Sequence, residues 1–459
     1  MTKLLIPTLL LALPLCAADL KFKKFTLTEE FVAEGAHFAD FDHDGQNDIC
    51  SGRFIWKGPE FKERVEFAPK FEKEPYDPAK GYSDFFLTYS YDFNGDGWSD
   101  IMAYSWPGKE TWVFENPQNK GGEWKRHTIF DVTDNESPDF KDVNGDGKPE
   151  LICHTGGQLG YAEIDWSNPF GKARFRPISP KSPENDKKYF RYTHGYGVGD
   201  VNGDGRPDIL DKEGWREQPA DTKADSDWVF HPQLFTVSGG RGGSFILVYD
   251  VNGDGRNDVI SSYDAHGYGF GWFEQKADGS FAEHKLMGAT VEDSPVGVKF
   301  SQLHAMQLAD MNGDKRNDVI TGYDAHGYGF GWFEQNADGS FKQHTLMSKT
   351  VEESPVGVKF SQLHAMQLAD MNGDGVMDVV TGKRRWAHGP LKDDEPNAAP
   401  VLYWFEIQRD GQGGAKFIPH LIDDNSGVGT QVTPGDVNKD GKMDVVIGNK
   451  KGVFVFLQE

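Results

Sequence analysis

Eight short segments of the chain combine acidic and amide side chains at a spacing that suits a divalent cation. The pattern D-x-[DN]-x-D-G-x-x-[DE] starts at Asp40, Asp92, Asp142, Asp200, Asp250, Asp310, Asp370 and Asp436, and the segment at Asp310 is the one that departs from it. Positions one, three, five and nine offer oxygen ligands, and glycine at position six allows a left-handed bend. Oxygen ligands clustered in a tight turn are those that calcium prefers. The sequence therefore predicts several bound calcium ions.

The predicted calcium ligands occupy these four positions of each loop. They are Asp40, Asp42, Asp44, Asp48, Asp92, Asn94, Asp96, Asp100, Asp142, Asn144, Asp146, Glu150, Asp200, Asn202, Asp204, Asp208, Asp250, Asn252, Asp254, Asp258, Asp310, Asn312, Asp314, Asp318, Asp370, Asn372, Asp374, Asp378, Asp436, Asn438, Asp440 and Asp444. The sixth loop carries Lys315 in place of glycine, and a left-handed conformation costs such a residue roughly 1 kcal/mol. We predict that this site is the weakest or is empty.

A second set of candidate ligands lies six residues before the first aspartate of each loop. This position holds Glu34, Phe86, Glu136, His194, Ser244, His304, His364 and Thr430. Neutral imidazoles with a carboxylate suit zinc, manganese or iron better than calcium. We predict that one such ion is bound by Glu136, His194, His304 and His364. A purely structural role for these histidines stays open, since residues 250–309 and 310–369 are identical at 49 of 60 positions and duplication accounts for one copy.

The elements around the loops form a repeat. The loops follow one another at spacings of 52, 50, 58, 50, 60, 60 and 66 residues, a period that indicates a propeller or a solenoid. Each loop is flanked by short strand-like runs, followed by an aromatic strand and a polar strand, as in TWVFEN and EWKRHTIFD. We predict an all-β propeller of eight four-stranded blades, with seven as the alternative. The chain ends on a third strand, so the N-terminal KFKKFTLTE would supply the missing outer strand and close the ring.

The propeller geometry would place further polar side chains beside the histidines. Residues just before the first strand and just after the second strand of a blade share the face opposite the calcium loops. This predicts catalytic or binding residues at the mouth of the central funnel: His266, His326, His388, Asp264, Asp324, Arg384 and Arg385. One of the three histidines would act as a base, an aspartate would orient it, and an arginine would bind a carboxylate or hydroxyl groups. The outer-strand histidines His127, His284, His344 and His420 are expected to be structural.

The loops and the aromatic third strands resemble those of FG-GAP/VCBS-repeat β-propellers over nearly all of the chain after residue 18. From Phe300 through VTGKRRWAHGP to HLIDDNSGVGTQV, the sequence is similar to the propeller domain of aldos-2-ulose dehydratases and their bacterial relatives. That resemblance implies a metal-dependent enzyme that removes water from an oxidised sugar.

Two functions from different classes are therefore predicted. The first is a carbohydrate-active lyase or dehydratase, a carbon–oxygen lyase acting by β-elimination in the funnel with calcium and one zinc, manganese or iron ion. The alternative is a non-catalytic, adhesion-type propeller that binds a glycan or a protein. The sequence has no G-x-S-x-G, P-loop or dinucleotide-binding motif, so acyl transfer and nucleotide-dependent chemistry lose support.

Charge and the N-terminal segment bear on partners and location. A formal charge of −24 argues against binding to nucleic acid, and no stretch is long enough to span a membrane. Residues 1–18 have the pattern of a secretory signal peptide, which leaves 19–459 as one propeller domain in the periplasm or outside the cell. Lipid anchoring through Cys16 is a weaker alternative. Cys50 and Cys153 fall in different repeats and are expected to be buried thiols without a disulfide.

Overall fold

The fold consists almost entirely of short antiparallel strands. The structure is a computed structural model that describes residues 20–222, 228–237, 242–300 and 302–459. The predicted signal peptide and Cys16 lie outside the described residues, so export stays a prediction. Within the described ranges there are 31 strands and one helix, α1, of six residues at Pro183–Lys188, which the sequence analysis did not foresee. No helix in these ranges is long and apolar enough to cross a membrane.

The strands form seven sheets, and their bounds follow the predicted repeat. The first part of the chain contains β1 (Phe22–Thr28), β2 (His37–Ala39), β3 (Asp48–Ser51), β4 (Phe54–Trp56), β5 (Arg64–Glu66), β6 (Leu87–Tyr91), β7 (Asp100–Tyr104), β8 (Lys109–Glu115), β9 (Lys125–Lys141), β10 (Glu150–Thr155), β11 (Gln158–Glu163) and β12 (Arg174–Pro177). The middle part contains β13 (Gly197–Gly199), β14 (Asp208–Asp211), β15 (Gly214–Glu217), β16 (Val229–Pro232), β17 (Ile246–Tyr249), β18 (Asp258–Ser262), β19 (Phe270–Gln275) and β20 (Phe281–Met287). The last part contains β21 (Met306–Ala309), β22 (Asp318–Gly322), β23 (Phe330–Gln335), β24 (Phe341–Met347), β25 (Met366–Ala369), β26 (Asp378–Gly382), β27 (Leu402–Arg409), β28 (Ala415–Asp423), β29 (Thr433–Gly435), β30 (Asp444–Asn449) and β31 (Gly452–Gln458).

Four strands in consecutive order make the usual sheet, as in β21-β22-β23-β24 and β25-β26-β27-β28. Six sheets have four strands, and the seventh has seven, in the order β12-β11-β10-β9-β8-β7-β6. In that sheet the 17-residue β9 pairs with β8 through its first half and with β10 through its second. The long strand thus serves as the outer strand of one repeat and the inner strand of the next. The fold is the predicted β-propeller; eight repeats are present, and they fall in seven sheets because two of them share β9.

The N-terminal strand completes the last sheet. β1 runs antiparallel to β31, with partners from Phe22 and Gln458 to Thr28 and Val453, and the sheet order is β1-β31-β30-β29. The last repeat also meets the first, because the Asn47 side-chain amide donates to the Val437 carbonyl at 3.0 Å. The predicted closure by KFKKFTLTE is therefore confirmed, and it covers an edge that would otherwise expose unpaired backbone groups.

Neighbouring repeats are also joined by a recurrent side-chain amide. At the end of the third strand, an Asn or Gln donates to the carbonyl of the second loop residue in the preceding repeat. The pairs are Asn116 with Phe41, Gln218 with Val143, Gln275 with Val201, Gln335 with Val251, and Gln458 with Met371. These amides are buried. Each one satisfies a carbonyl that would otherwise lose its hydrogen bond to water, so it stabilises the contact between two sheets.

Aromatic and aliphatic side chains of the second and third strands fill the space between the sheets. The third-strand residues Trp332, Phe333, Trp404 and Phe405 are each at most 2% exposed. The outer-strand histidines are structural, as predicted. His284, His344 and His420 each stack on the third-strand tryptophan of their own sheet, and these three and His127 each pair with a third-strand glutamate.

The two cysteines that the structure describes, Cys50 and Cys153, are free and buried, which confirms the expectation of two thiols without a disulfide.

Candidate metal centre in the central cavity

Members of both predicted sets of polar residues line a cavity of about 680 Å³, whereas Asp264, Asp324 and Arg385 are outside its lining. Glu136 lies in β9, and His194, His304 and His364 lie just before the inner strands β13, β21 and β25. His266, His326 and His388 come from the connections that follow β18, β22 and β26. The inner strand and the second strand of each sheet are antiparallel, so the inner strand starts at the face where the second strand ends. The fold therefore brings both sets of residues to the same end of the cavity. Arg384 also lines this cavity.

Six of the seven histidines that line the cavity form a continuous row; the seventh, His37, is not part of it. His194 contacts His266 and His304 with ring centroids 5.0 Å apart, and His304 lies 5.3 Å from His364. His364 lies 5.0 Å from His326, and His326 lies 4.4 Å from His388. Burial lowers the pKa of His304 and of His364 well below the ordinary value, so both are neutral imidazoles near pH 7. Neutral imidazole is the form that binds transition metals.

One end of the row forms a compact donor group. One nitrogen from each of His194, His266 and His304 falls within 4.8 Å of the others. His194 Nε2 lies 3.1 Å from His266 Nε2 and 3.2 Å from the Glu136 Oε2. Ligands of a tetrahedral zinc ion, about 2.0–2.2 Å from the metal, are about 3.3–3.6 Å apart, so these separations fit a shared ion after a small opening. Burial by itself would raise the pKa of Glu136, but His194 and the charge of Arg384 outweigh it and lower the pKa.

The composition of this group differs from the set predicted from the sequence. Glu136, His194 and His304 are together, but His266, which the sequence analysis considered as a base, takes the place predicted for His364. His304 Nδ1 lies 2.8 Å from the Gln302 carbonyl. Since a carbonyl only accepts, Nδ1 carries the hydrogen, and Nε2 keeps its lone pair for a ligand bond.

The other end of the row contains His326, His388 and Asp393, which also bring donor atoms within 4.8 Å of one another. Asp393 Oδ1 lies 2.9 Å from His388 Nδ1 and 3.5 Å from His326 Nδ1.

The sequence predicted that Asp264 or Asp324 would orient a catalytic histidine. In the structure these two aspartates accept the backbone N–H groups of His266 and His326, each within its own turn. Asp393 was missed by the sequence analysis. The signal that could have indicated it is the long connection 383–401, which far exceeds the matching connections 263–269 and 323–329.

Strained backbone accompanies the donor groups. Asn135, Gln302, Gln362 and Asp393 have φ values of 78°, 60°, 62° and 64°, and Trp386 has a φ of 57°. Asp393 is itself a candidate metal ligand. Each of the other four residues lies within two residues of Glu136 or of a histidine in the row. Left-handed backbone at a non-glycine residue costs on the order of 1–3 kcal/mol and concentrates at functional sites. Five of the twelve non-glycine residues with positive φ in the described ranges thus lie at or beside the candidate ligands, which is consistent with a functional role for this face.

The two predicted arginines occupy different surroundings. Arg384 is buried at the cavity wall, 3.5 Å from the Glu34 carboxylate, while Tyr82 lies beside it with its ring centroid 5.7 Å from the guanidinium carbon. Arg385 packs on the Trp386 ring at 4.1 Å and does not line the described cavity. Neither carboxylate oxygen of Glu34 has a hydrogen-bond partner within the described residues. The negative charge of Glu34 is balanced by the positive charges of Arg384 and of Lys450, whose Nζ lies 3.9 Å from Glu34 Oε1. Arg384 is therefore the arginine that can meet a ligand in the cavity.

The eight acidic loops adopt one conformation at the opposite ends of the inner strands. The position-one carboxylate accepts the N–H group of position six in every loop and that of position five in six loops, as Asp250 does from Gly255 and Asp254. The position-nine acid begins the second strand and is buried; Asp318 accepts the N–H groups of Met311 and Gln335. Burial, together with the neighbouring loop carboxylates, raises the pKa of Asp318 to about 7. The arrangement suits a cation among positions one, three and five, and it also ties each loop to the third strand.

Two backbone positions of each loop are left-handed, of which the sequence analysis identified one. At position six φ lies between 71° and 91°, and Lys315 has the value of 71°. Position four is left-handed too, with values from 58° to 86°, and it is glycine except at His43 and Lys439. Lys315 thus sits in the conformation that was expected to weaken the sixth site.

Comparisons with known proteins agree with this architecture. The FG-GAP-like repeat family matches residues 92–153 and 310–381, and the FG-GAP repeat family matches residues 428–454. The chain therefore contains FG-GAP and FG-GAP-like repeats at these residues, in agreement with its β-propeller fold. No curated protein matches the chain.

Several solved structures are similar to the chain at low identity. A lectin of Agrocybe aegerita, described in terms of specific recognition of non-reducing terminal N-acetylglucosamine, is 15% identical with a TM-score of 0.49, covering 96% of this chain and 99% of its own. A rhamnogalacturonan lyase of Bacillus licheniformis is 13% identical with a TM-score of 0.39, covering 79% and 65%. A structure from Bacteroides fragilis, described as a 6-phosphogluconolactonase candidate, is 13% identical with a TM-score of 0.42, covering 87% and 97%. None of these likenesses bears on the function of this chain.

Proposed function

We propose that the protein is an exported, calcium-stabilised propeller whose central cavity holds a transition-metal ion and catalyses β-elimination of water from an oxidised sugar. The observation that carries this proposal is the row of six histidines with Glu136 along one cavity wall. Six adjacent imidazoles with a carboxylate exceed what hydrogen bonding in a core requires. The sequence resemblance to aldos-2-ulose dehydratases supports the choice of reaction.

The residues that would hold the ion are His194, His266, His304 and Glu136. Three imidazoles and one carboxylate suit zinc, manganese or iron. When bound, such an ion supplies a Lewis acid that polarises a carbonyl oxygen of the substrate.

The cavity residues outside this group would bind the substrate and move protons. The buried Arg384 guanidinium faces the cavity and is suited to a sugar carboxylate or hydroxyl group. The remaining imidazoles, His326, His364 and His388, are candidates to accept the proton next to the carbonyl. In the elimination, the C–H bond next to the carbonyl breaks as the C=C bond forms. The β-hydroxyl group leaves as water after taking up a proton.

The test is metal content measured together with turnover. We expect the purified protein to contain zinc, manganese or iron besides calcium, and to form an unsaturated carbonyl product from a panel of 2-keto aldoses. His194→Ala should lose the transition metal and the turnover. His284→Ala is the matched control, because this histidine is paired with Glu274 on an outer strand. Calcium alone in the wild-type protein would refute the metalloenzyme.

A second candidate function is glycan binding without catalysis, and one observation favours it. Tyr82 lines the cavity and stacks on Trp106 at 4.4 Å, and Trp106 contacts the exposed Tyr192 at 6.1 Å. Such rings next to a cavity are suited to stacking on sugars. If a glycan binds and Tyr192→Ala weakens it while His194→Ala does not, this function replaces the first.

A further inference from the structure

The far end of the histidine row has donor geometry of its own. His326 Nδ1, His388 Nδ1 and Asp393 Oδ1 converge, with the carboxylate oxygen 3.5 Å and 2.9 Å from the two nitrogens. These separations are comparable with those at the first group, 3.1 Å and 3.2 Å. An ion with ligands at about 2.0–2.2 Å needs donors about 3.3–3.6 Å apart, so little movement would be required.

Two further observations point to a ligand at this place. His326 Nδ1 is buried and has no hydrogen-bond partner among the described residues, although an unsatisfied buried polar atom is costly. Asp393 has left-handed backbone, and its side chain is only 8% exposed. The hydrogen bond from the His388 backbone N–H to Asp393 Oδ2 holds the carboxylate in this orientation and leaves Oδ1 facing the two imidazoles.

The connection 383–401 is braced against the blade that carries His326. The Asp394 N–H donates to the His326 carbonyl at 2.9 Å, and the Ser361 hydroxyl donates to the Asp394 carbonyl at 2.7 Å. These contacts fix Asp393 beside His326 although the two residues are far apart in the sequence. A preorganised donor set costs little reorganisation when a ligand binds.

Charged side chains of both signs surround His326, His388 and Asp393. Arg384, Lys383 and Lys450 are the nearby cations, and Arg384 and Lys450 share the Glu34 carboxylate at 3.5 Å and 3.9 Å. Asp324 and Asp394 add negative charge in the vicinity. A dication at this place would meet the Asp393 carboxylate and two imidazoles, with the Asp324 and Asp394 carboxylates offsetting part of the positive charge nearby.

We infer that His326, His388 and Asp393 form a second transition-metal site, separate from the site at His194, His266, His304 and Glu136. The donor set of two imidazoles and one carboxylate fits zinc, cobalt or manganese. His364, between the two groups, then remains as the imidazole that faces both. The inference extends the proposed function from one ion to two, and it can fail while the first site stands.

The experiment loads the full chain with Co²⁺ in excess calcium and measures bound cobalt after gel filtration, with visible absorption as a second readout. We expect two cobalt ions per chain in the wild-type protein and in the control His284→Ala. Asp393→Ala and His388→Ala should each retain one ion. His266→Ala should retain the other ion, with a different spectrum, and the double variant His266→Ala/Asp393→Ala should retain none.

The outcomes separate the two proposals. One cobalt ion in the wild-type protein that Asp393→Ala leaves in place would overturn the second site and leave the first, with Asp393 then serving to orient His388. No cobalt in the wild-type protein would refute both sites. A circular dichroism spectrum and a thermal transition for every variant show whether it has folded. His388 is half exposed and outside the sheets, so His388→Ala provides a variant whose loss of cobalt is not explained by unfolding.

Discussion

The duplicated repeats allow the cost of Lys315 to be measured by a reciprocal exchange. Lys315 and Gly255 occupy position six of the sixth and the fifth loop, with φ values of 71° and 84°. Their backbone N–H groups make the same hydrogen bond, to Asp310 and Asp250. A Cβ atom added to Gly255 would meet nothing within 4 Å, so the exchange changes backbone strain and charge but not packing.

The magnitude follows from two opposing terms. Left-handed backbone costs an L-residue about 1–2 kcal/mol. Glycine adds conformational freedom to the unfolded chain, which offsets about 0.4–1 kcal/mol of that difference. We therefore expect Lys315→Gly to raise the free energy of unfolding by about 0.5–1 kcal/mol, and Gly255→Lys to lower it by about the same amount. Removal of the exposed lysine charge from an acidic loop should also tighten calcium binding at the sixth site.

The assay is urea unfolding in chelator and in calcium, since a difference of this size shifts the melting temperature of a chain this long by only a few degrees at most. Lys315→Ala is the matched control: it removes the charge and keeps the strained conformation. It should improve calcium binding while gaining little stability in chelator.

Two results would refute the reasoning. If Lys315→Gly is no more stable than Lys315→Ala in chelator, backbone strain at this position is not the cause. If Gly255→Lys leaves both stability and calcium binding unchanged, position six has no role in forming the loop.

Three other predictions test the calcium loops, the contacts between sheets and a buried histidine. Chelation of calcium at low salt should lower the midpoint of urea unfolding, because eight groups of loop carboxylates would then repel without a cation; an unchanged midpoint would contradict calcium stabilisation. Gln275→Ala leaves the Val201 carbonyl without its donor and should cost about 1–3 kcal/mol, whereas Gln408→Ala, whose amide contacts the neighbouring Glu406 side chain, should cost less. Burial lowers the pKa of His154 to about 3 from 6.5, so the unfolded chain binds a proton that the folded chain does not. Stability is then full above about pH 6.5 and falls by up to about 1.4 kcal/mol per pH unit toward pH 3; His154→Leu should show a smaller slope, and an equal slope would contradict neutral burial.

The sequence by itself determined the repeat and the local conformation of the loops. A loop signature of nine residues and an aromatic third strand are short-range patterns, and their hydrogen bonds, such as that from Gly255 to Asp250, close within a few residues. The missing fourth strand of the last repeat also followed from counting strands, which is why the pairing of β1 with β31 could be predicted. The left-handed position four was overlooked because its glycines resemble ordinary turn glycines.

Only the tertiary structure decided how the histidines are grouped. The sequence predicted that His194, His304, His266, His326 and His388 share one face, because strand direction sets that face. Which imidazoles meet depends on the angle between neighbouring sheets and on the path of each connection, and these settle only when the ring closes. The structure therefore joins His266 to His194 and moves His364 to the middle of the row.

The position of Asp393 also could not be predicted from the sequence. Its place beside His326 comes from the connection 383–401, which has no counterpart in the repeat and is fixed by backbone contacts such as Asp394 with His326 and by a left-handed residue. A loop of this kind has no periodicity from which a partner could be inferred, because its conformation is set by packing against another sheet. Repetition in the sequence determined the propeller, and a connection that departs from the repeat, 383–401, determined the second half of the candidate site.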